Sequence, residues 1–348
     1  MTKRLRAAVI GFGRMADAYA QDAAMARHYR YATHAQVLAA HPSFEWLAVV
    51  DPSAPARERA RHQWKVPHVA PDTVGLGQVA DQIEVAVLAT PPAARLGVLD
   101  ALPALRAVLV EKPLGLGLND SRLFLDQCAQ RGIAVQVNLW RRADETFRRL
   151  ATGELRQLVG DLQCAFCVYG NGLLNNGTHM IDFVRMVLGE IVSVTALSTE
   201  SAFVEGPIVG DLNVAANLLL ENGASVTLQP LRFAEYRENG IDIWGYDGRL
   251  SILNEGLTIL RYPRTANRAM TGEREIAADA PETLQSSVGN ALYRMFDNLA
   301  EAVADGVPMW SPGSSALQSA VVVEAVTQSA KHQRAVAVDE ILAPVVAT

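Results

Sequence analysis

Cysteine is scarce in this chain: three among 348 residues, Cys128, Cys164 and Cys167. Three is too few for a disulfide framework. Cys164 and Cys167 form a CxxC pair, but zinc would need two further ligands at suitable spacing, and none is evident. Residues i and i+3 of a strand point to opposite faces, so both thiols read as packing groups and no metal is expected. Long apolar runs are missing too. None approaches the roughly 20 residues that span a bilayer, so no membrane partner is expected. The apolar stretch Ala7–Ile10 behind the basic N-terminus is too short for a signal-peptide core, and the cytoplasm is the expected location. An excess of positive charge is also absent. Lys and Arg number 31 against 37 Asp and Glu, for a net charge of -6. Without a basic stripe, no nucleic-acid partner is expected.

What is present is ordinary globular material, 50% hydrophobic and 20% charged. Its length suggests two domains at roughly 100–200 residues each. Short, wholly apolar runs recur at Ala7–Ile10, Trp46–Val50, Val85–Ala89, Ala107–Val110 and Ala134–Val137, separated by helical stretches. Runs without in/out alternation predict strands buried on both faces, as in a doubly wound parallel sheet. The pattern changes near residue 155. Gly160–Tyr169, Ile191–Ser201, Leu212–Leu220, Ala224–Leu231, Ile241–Tyr246, Arg249–Leu253 and Leu257–Arg261 read as strands, several of them alternating. Asn222-Gly223 and Asp247-Gly248 read as two-residue hairpin turns, because both positions tolerate positive φ. Helices follow near 284–304 and 314–331. The fold class is therefore α/β. A doubly wound parallel domain, 1–140, precedes an α+β domain, 141–348, with a large, mostly antiparallel open-faced sheet. The last helices of the second domain are candidates to pack back toward the first.

The first strand runs into Gly11-Phe12-Gly13-Arg14-Met15-Ala16, the G-x-G-x-x-A form of the dinucleotide (Rossmann) fingerprint. Gly11 permits a tight turn, Gly13 lets backbone approach a pyrophosphate, and Ala16 allows close helix packing. The amides and dipole of the following helix would face the phosphates. Asp51 ends the second strand. A carboxylate there can accept from the adenosine ribose hydroxyls and would repel the extra phosphate of NADP, favouring NAD over NADP. Asp51 lies well beyond the roughly 20 residues usual after the fingerprint. The excess falls at Tyr19–Thr33, which includes Arg27, His28, Tyr29, Arg30 and Tyr31. It reads either as an extended first helix with a solvated face or as a basic, aromatic lip.

Further motifs follow in order: Thr90-Pro91-Pro92, Glu111-Lys112-Pro113, Gly177-Thr178-His179 with Asp182, Leu188-Gly189, Gly245–Leu250 and Ser329-Ala330. With the fingerprint and Asp51, this series resembles the Gfo/Idh/MocA family, the glucose–fructose oxidoreductase and inositol dehydrogenase group. The resemblance implies an NAD(P)-dependent oxidoreductase acting on the CH-OH group of a sugar, cyclitol or nucleotide-sugar. It also implies a homo-oligomer, dimer or tetramer, formed through the C-terminal sheet. Two other readings remain open: a glycosidase using the cofactor in transient redox, and a non-catalytic NAD-binding regulator.

Hydride transfer from a carbinol needs a group to take the hydroxyl proton and another to stabilise the developing oxyanion. Lys112, just past the carboxyl end of a parallel strand, suits the second task and also lies where cofactor and substrate would meet. His179 is the candidate acid/base, read as lying at the start of a helix capped by Thr178 or Asn176 and ended by Gly189. Asp182, one turn on, would orient the ring or contact substrate. Asn175 takes the position where the family often has Asp; it can orient a ligand but carries no charge. Expected cofactor contacts are Gly11, Phe12, Gly13, Arg14, Met15, Asp51, Thr90, Pro91, Glu111 and Lys112. Expected substrate contacts are Lys112, Asn138, Arg142, Asn175, His179 and Asp182. Arg95, where the family often has His, reads either as a helix-surface residue or as a reach toward an anionic group. Arg141 and Arg142 suggest an anionic substrate or simply a solvated helix start.

Overall fold

The computed structural model describes residues 4–197, 202–204, 206–276 and 280–342. The chain divides into two compact units, residues 1–144 with 289–317 and residues 145–288 with 318–348. The long helix Gly313–His332 passes from one set of residues to the other.

The first unit is built on a parallel sheet. Its strands are β1 (Leu5–Ile10), β2 (Phe44–Val50), β3 (His68–Ala70), β4 (Val85–Leu88), β5 (Ala107–Val110) and β6 (Ala134–Val137), in the order β3-β2-β1-β4-β5-β6. The order reverses beside β1, and the crevice outside the carboxyl ends at such a point is where open α/β sheets bind ligands. β4 and β5 are buried at every position. One apolar cluster covers each face: Ala8, Leu88, Val108 and Phe124 lie in one, Val9, Val87, Leu109 and Phe296 in the other. β3 was not expected. It is three residues long and starts with an exposed histidine, too short and too polar for an apolar-run signal.

In the second unit the strands are β7 (Leu162–Gly170), β8 (Ile191–Ala196), β9 (Ala202–Phe203), β10 (Leu212–Asn213), β11 (Ala216–Leu220) and β12 (Ser225–Leu231). They continue with β13 (Gly240–Gly245), β14 (Gly248–Leu253), β15 (Thr258–Ala266), β16 (Arg274–Ile276), β17 (Glu282–Leu284) and β18 (Val336–Ala337). β9 and β10 form a separate ribbon. Among the described residues, the other ten form one sheet in the order β16-β15-β14-β13-β7-β12-β11-β8-β18, with β17 beside β15. Every pairing along it is antiparallel except β7 with β12. The end of the expected strand Ile191–Ser201, residues 198–201, lies outside the described residues.

Several local expectations are corrected. Cys167 is buried, but Cys164 is exposed on the other face of β7 and packs in no core. Leu212–Leu220 is two strands rather than one. Between them the Val214 N–H donates to the Tyr169 hydroxyl, which in turn donates to the Val214 carbonyl, both at 2.8 Å. With both backbone groups taken by a buried side chain, Val214 has none left for a ladder. Neither Asp247 nor Gly248 has positive φ, and of the Asn222-Gly223 pair only Gly223 does. Gly248 is required for space instead: a Cβ there would sit 2.8 Å from the Tyr262 carbonyl of the adjacent strand.

Candidate active site

The glycine turn follows β1 directly. Gly11 has φ +89, and a Cβ on it would lie 2.8 Å from the Ala89 carbonyl, so only glycine fits. Gly13 is the opposite case: it is exposed, with nothing within 4 Å of a Cβ. Close contact under Gly11 and open space over Gly13 make the shallow cradle a pyrophosphate needs. Arg14 is exposed beside it and Met15 half-buried. Phe12 is fully buried against Trp46, and its N–H donates to Asp51 Oδ2 at 2.5 Å. The other Asp51 oxygen accepts from Ser53 N–H at 2.7 Å. Asp51 thus stands at the end of β2 with its carboxylate fixed against the turn and 9% exposed.

The expected continuous helix after the turn is absent. A single turn over Gly13–Asp17 gives way to 3-10 residues Ala18–Gln21, a four-residue helix Ala23–Ala26 and a loop. A regular helix restarts at His34–Ala40. Thr33 and Gln36 form a reciprocal capping box at that restart, a T-x-x-Q signal that is legible in the sequence.

His34 ties this excursion to the chemistry. Fully buried, it places Nε2 2.7 Å from Glu111 Oε1. Asn138 Nδ2 donates to the same oxygen at 2.7 Å. Burial pushes the Glu111 carboxyl up, but the His34 and Asn138 hydrogen bonds and the Lys112 charge outweigh it and hold the group below its usual range. Thr90, Glu111 and Asn138 stand just beyond the carboxyl ends of β4, β5 and β6. Among the described residues, the Thr90 hydroxyl, Asn138 Oδ1 and His34 Nδ1 are buried without partners. Orphaned polar atoms at a strand-end crevice fit a bound group that both donates and accepts, as a nicotinamide carboxamide does.

Arg95 overturns both expectations for it. It is 2% exposed and reaches no solvent. Nη1 donates to the carbonyls of Pro113 (2.7 Å) and Leu114 (2.8 Å), and Nη2 to those of Thr90 (3.1 Å) and Glu111 (2.7 Å). Burial lowers its pKa to about 10 against the opposing pull of Glu111, so it stays charged at neutral pH. Lys112 is half-buried between these clamped carbonyls, with a cis peptide to Pro113. Arg141 is buried, its guanidinium 4.3 Å over the Trp140 ring, while Arg142 is half-buried.

In the second unit, His179 is half-buried on the helix Thr178–Val187. That helix starts at Thr178 as expected, but without the expected side-chain cap. A π-helical turn, Leu173–Gly177, leads into it. Thr178 caps nothing; its hydroxyl donates back to the Leu173 and Leu174 carbonyls. The first amides are bound instead by Asp211, 2% exposed and absent from the expected site. Its oxygens accept from Leu174 N–H (2.9 Å), Asn175 N–H (3.0 Å) and Leu212 N–H (2.8 Å). Gly172 must be glycine, since a Cβ there would overlap this carboxylate. Asn175 is buried and donates to the Asn171 carbonyl at 3.2 Å, while Asn176 Nδ2 is buried with no partner among the described residues. Asp182 is buried and accepts from Ser319 at 2.9 Å; Ser319 also accepts from Arg185, which pairs with Glu190. These bonds mark Asp182 as a support of the helix. Gly189, φ +116, follows the helix end as expected.

Residues 5–139 match the NAD-binding Rossmann-fold domain of the Gfo/Idh/MocA oxidoreductase family, and residues 170–338 match its C-terminal alpha/beta domain. The chain belongs to this family. It is an NAD-binding oxidoreductase. Among curated relatives, it is 21% identical to scyllo-inositol 2-dehydrogenase (NAD(+)) of Bacillus subtilis, over 88% of each chain. It is 22% identical to the rhizopine catabolism protein MocA of Rhizobium meliloti, over 93% of this chain and 95% of that one. Levoglucosan dehydrogenase, solved with NADH and levoglucosan, has the same fold at TM-score 0.73 and 18% identity, over 97% of this chain and 100% of that one. An oxidoreductase from Desulfitobacterium hafniense described as NADPH-dependent aligns at TM-score 0.77 and 15% identity, over 99% of this chain and 100% of the other. Among the described residues, no helix is long and apolar enough to cross a membrane and no side-chain cluster could hold a metal ion.

Proposed function

We propose that the protein is an NAD-dependent dehydrogenase or reductase that moves a hydride between nicotinamide and a carbinol carbon of a neutral, polyhydroxylated substrate of the sugar or cyclitol kind. The observation that carries this reading is the Glu111-Lys112-Pro113 loop at the end of β5, held rigidly beside the orphaned Thr90 and Asn138 atoms. Gly11–Met15 and Asp51 would hold the pyrophosphate and adenosine ribose, and Thr90, Pro91, Glu111 and Asn138 the nicotinamide end. When bound, the cofactor supplies the hydride acceptor. Lys112 donates a hydrogen bond to the reacting hydroxyl and stabilises the negative charge that grows on its oxygen. His179 takes the hydroxyl proton. Asn175, fixed through Asp211, orients substrate by hydrogen bonding, with Arg142 as a further contact. Arg95, committed to four main-chain carbonyls, gives an anionic substrate no support, and Arg142 would donate to a substrate hydroxyl.

The open face of the second-unit sheet supports assembly with a second copy of the chain. Phe166 and Leu219 are 41% and 43% exposed there, on the same side as Cys164 and Thr227.

The test is a panel of polyols, cyclitols and sugars followed by nicotinamide absorbance. Net reduction of NAD by a neutral polyol is expected, with Lys112→Ala abolishing turnover while NADH binding persists. Cleavage of a chromogenic glycoside without net redox, or wild-type turnover by Lys112→Ala, would overturn the reading.

A further inference from the structure

One side chain outside the reacting groups is buried under the loops that carry them. Arg95 lies on the helix Arg95–Ala101, yet it extends under two separate loops and donates to four main-chain carbonyls. Three of those carbonyls bracket Lys112: Glu111 immediately before it, Pro113 immediately after, and Leu114 next. The fourth, Thr90, belongs to the loop after β4. The guanidinium is planar and its donors are fixed in a fork. Binding carbonyls on both sides of one residue therefore fixes the path of the chain through that residue. What freedom remains to Lys112 is in its side-chain torsions.

We propose that Arg95 is a positioning residue for Lys112, one that holds its backbone at the nicotinamide end of the crevice without touching substrate. This rests on the reading of Lys112 as the group that stabilises the reacting oxygen. Lysine in place of Arg95 cannot reproduce the clamp, because an ammonium presents three donors from one point and cannot span four acceptors. Misplacing a reacting group by about 1 Å can cost about 100-fold in rate. The grip on the adenosine and pyrophosphate, by contrast, lies on Gly11–Met15 and Asp51, which Arg95 does not contact through any of these four bonds.

The test compares Arg95→Met, Arg95→Lys, Arg95→Ala and Lys112→Ala in the full-length protein, with NADH titrated by fluorescence and turnover measured on the best neutral polyol. Arg95→Met is expected to lower kcat by about 50-fold or more while KM and NADH affinity move by less than about 5-fold. Arg95→Lys should fall between that variant and wild type. Guanidinium ion at low millimolar concentration should restore part of the turnover of Arg95→Ala and none of that of Lys112→Ala. If Arg95→Met does not fold, Arg95→Lys and the guanidinium rescue carry the same decision. A kcat within about 3-fold of wild type in Arg95→Met or Arg95→Lys would overturn the inference. So would loss of NADH affinity in step with kcat, which would mean general loosening of the unit. Full activity in Lys112→Ala would instead remove the underlying reading of Lys112.

Discussion

Cofactor preference follows from one fixed charge and can be checked before any substrate is known. Asp51 is held by two backbone N–H groups, Phe12 at 2.5 Å and Ser53 at 2.7 Å, and cannot swing aside when a ligand enters. A charge of the NADP 2′-phosphate placed about 4 Å from it would meet a repulsion of about 4 kcal/mol at an effective dielectric of about 20. Partial exposure to solvent trims this, so the expected preference for NADH over NADPH is about 10²–10³-fold. Asp51→Asn removes the charge and keeps the volume. Its single oxygen can serve Phe12 or Ser53 but not both, and losing one such bond costs about 1–2 kcal/mol. NADH affinity should therefore fall by about 10-fold, while the preference shrinks to less than about 10-fold. Fluorescence titration with both reduced cofactors, at low and high salt, reads both numbers. Added salt should narrow the wild-type preference and leave the variant's unchanged. A preference within about 3-fold of wild type in Asp51→Asn would refute the electrostatic argument.

Other regions carry their own expectations. His41 is buried and bonded to Asp297, and burial lowers its pKa despite that partner. The unfolded chain then binds a proton that folded His41 resists, so stability is full above about pH 6.5 and falls as pH drops through the folded value. Glu111, also held below its usual value, adds a loss of the same sign at lower pH. Unfolding midpoints recorded from neutral to acid pH should slope less in His41→Gln than in wild type, and equal slopes would remove His41 as the cause. Asp211→Ala strips three amides of a charged acceptor, each such bond being worth about 1.5–3 kcal/mol. Hydrogen exchange at Leu174, Asn175 and Leu212 should speed up by about 100-fold or more while β11 keeps its protection. Uniform change across the second unit would argue against a local cap. Phe166→Arg with Leu219→Glu should lower the solution mass measured by light scattering without shifting the unfolding midpoint; an unchanged mass would acquit this sheet face.

The parallel sheet was legible because burial on both faces leaves an unbroken apolar run, a signal that needs no knowledge of neighbours. The antiparallel strands were legible in number but less so in their ends. Those ends are set by tertiary contacts: Tyr169 breaks the ladder at Val214, and the approach of Tyr262 makes Gly248 part of a strand. The site shows the same division. Gly11, Asp51, Lys112 and His179 could be named as candidates because each sits in a short motif. Asp211 could not, since nothing near it in sequence says that a helix more than thirty positions earlier lacks a cap. Arg95 was singled out yet misread. An arginine on a short helix is usually solvated, and only the folded loops reveal the four carbonyls that Arg95 serves.

The irregular segment after the glycine turn is the case where sequence spacing and structure are reconciled by hydrogen bonding. An insertion inside a helix should orphan the carbonyls of the broken turn. Here it does not. The carbonyls of Met15 and Ala16 accept from the N–H groups of His34 (3.2 Å) and Ala35 (2.9 Å), so the helix His34–Ala40 takes up the bonding where the first turn stops. The excursion is looped out between two residues that still bond as neighbouring turns. This explains how Gly11–Ala16 keeps its fingerprint geometry while Asp51 lies so far along the chain. It also explains how His34 arrives buried against Glu111: as the first residue of the resumed helix, it is delivered to the ends of β4 and β5 by the same register that satisfies Met15 and Ala16.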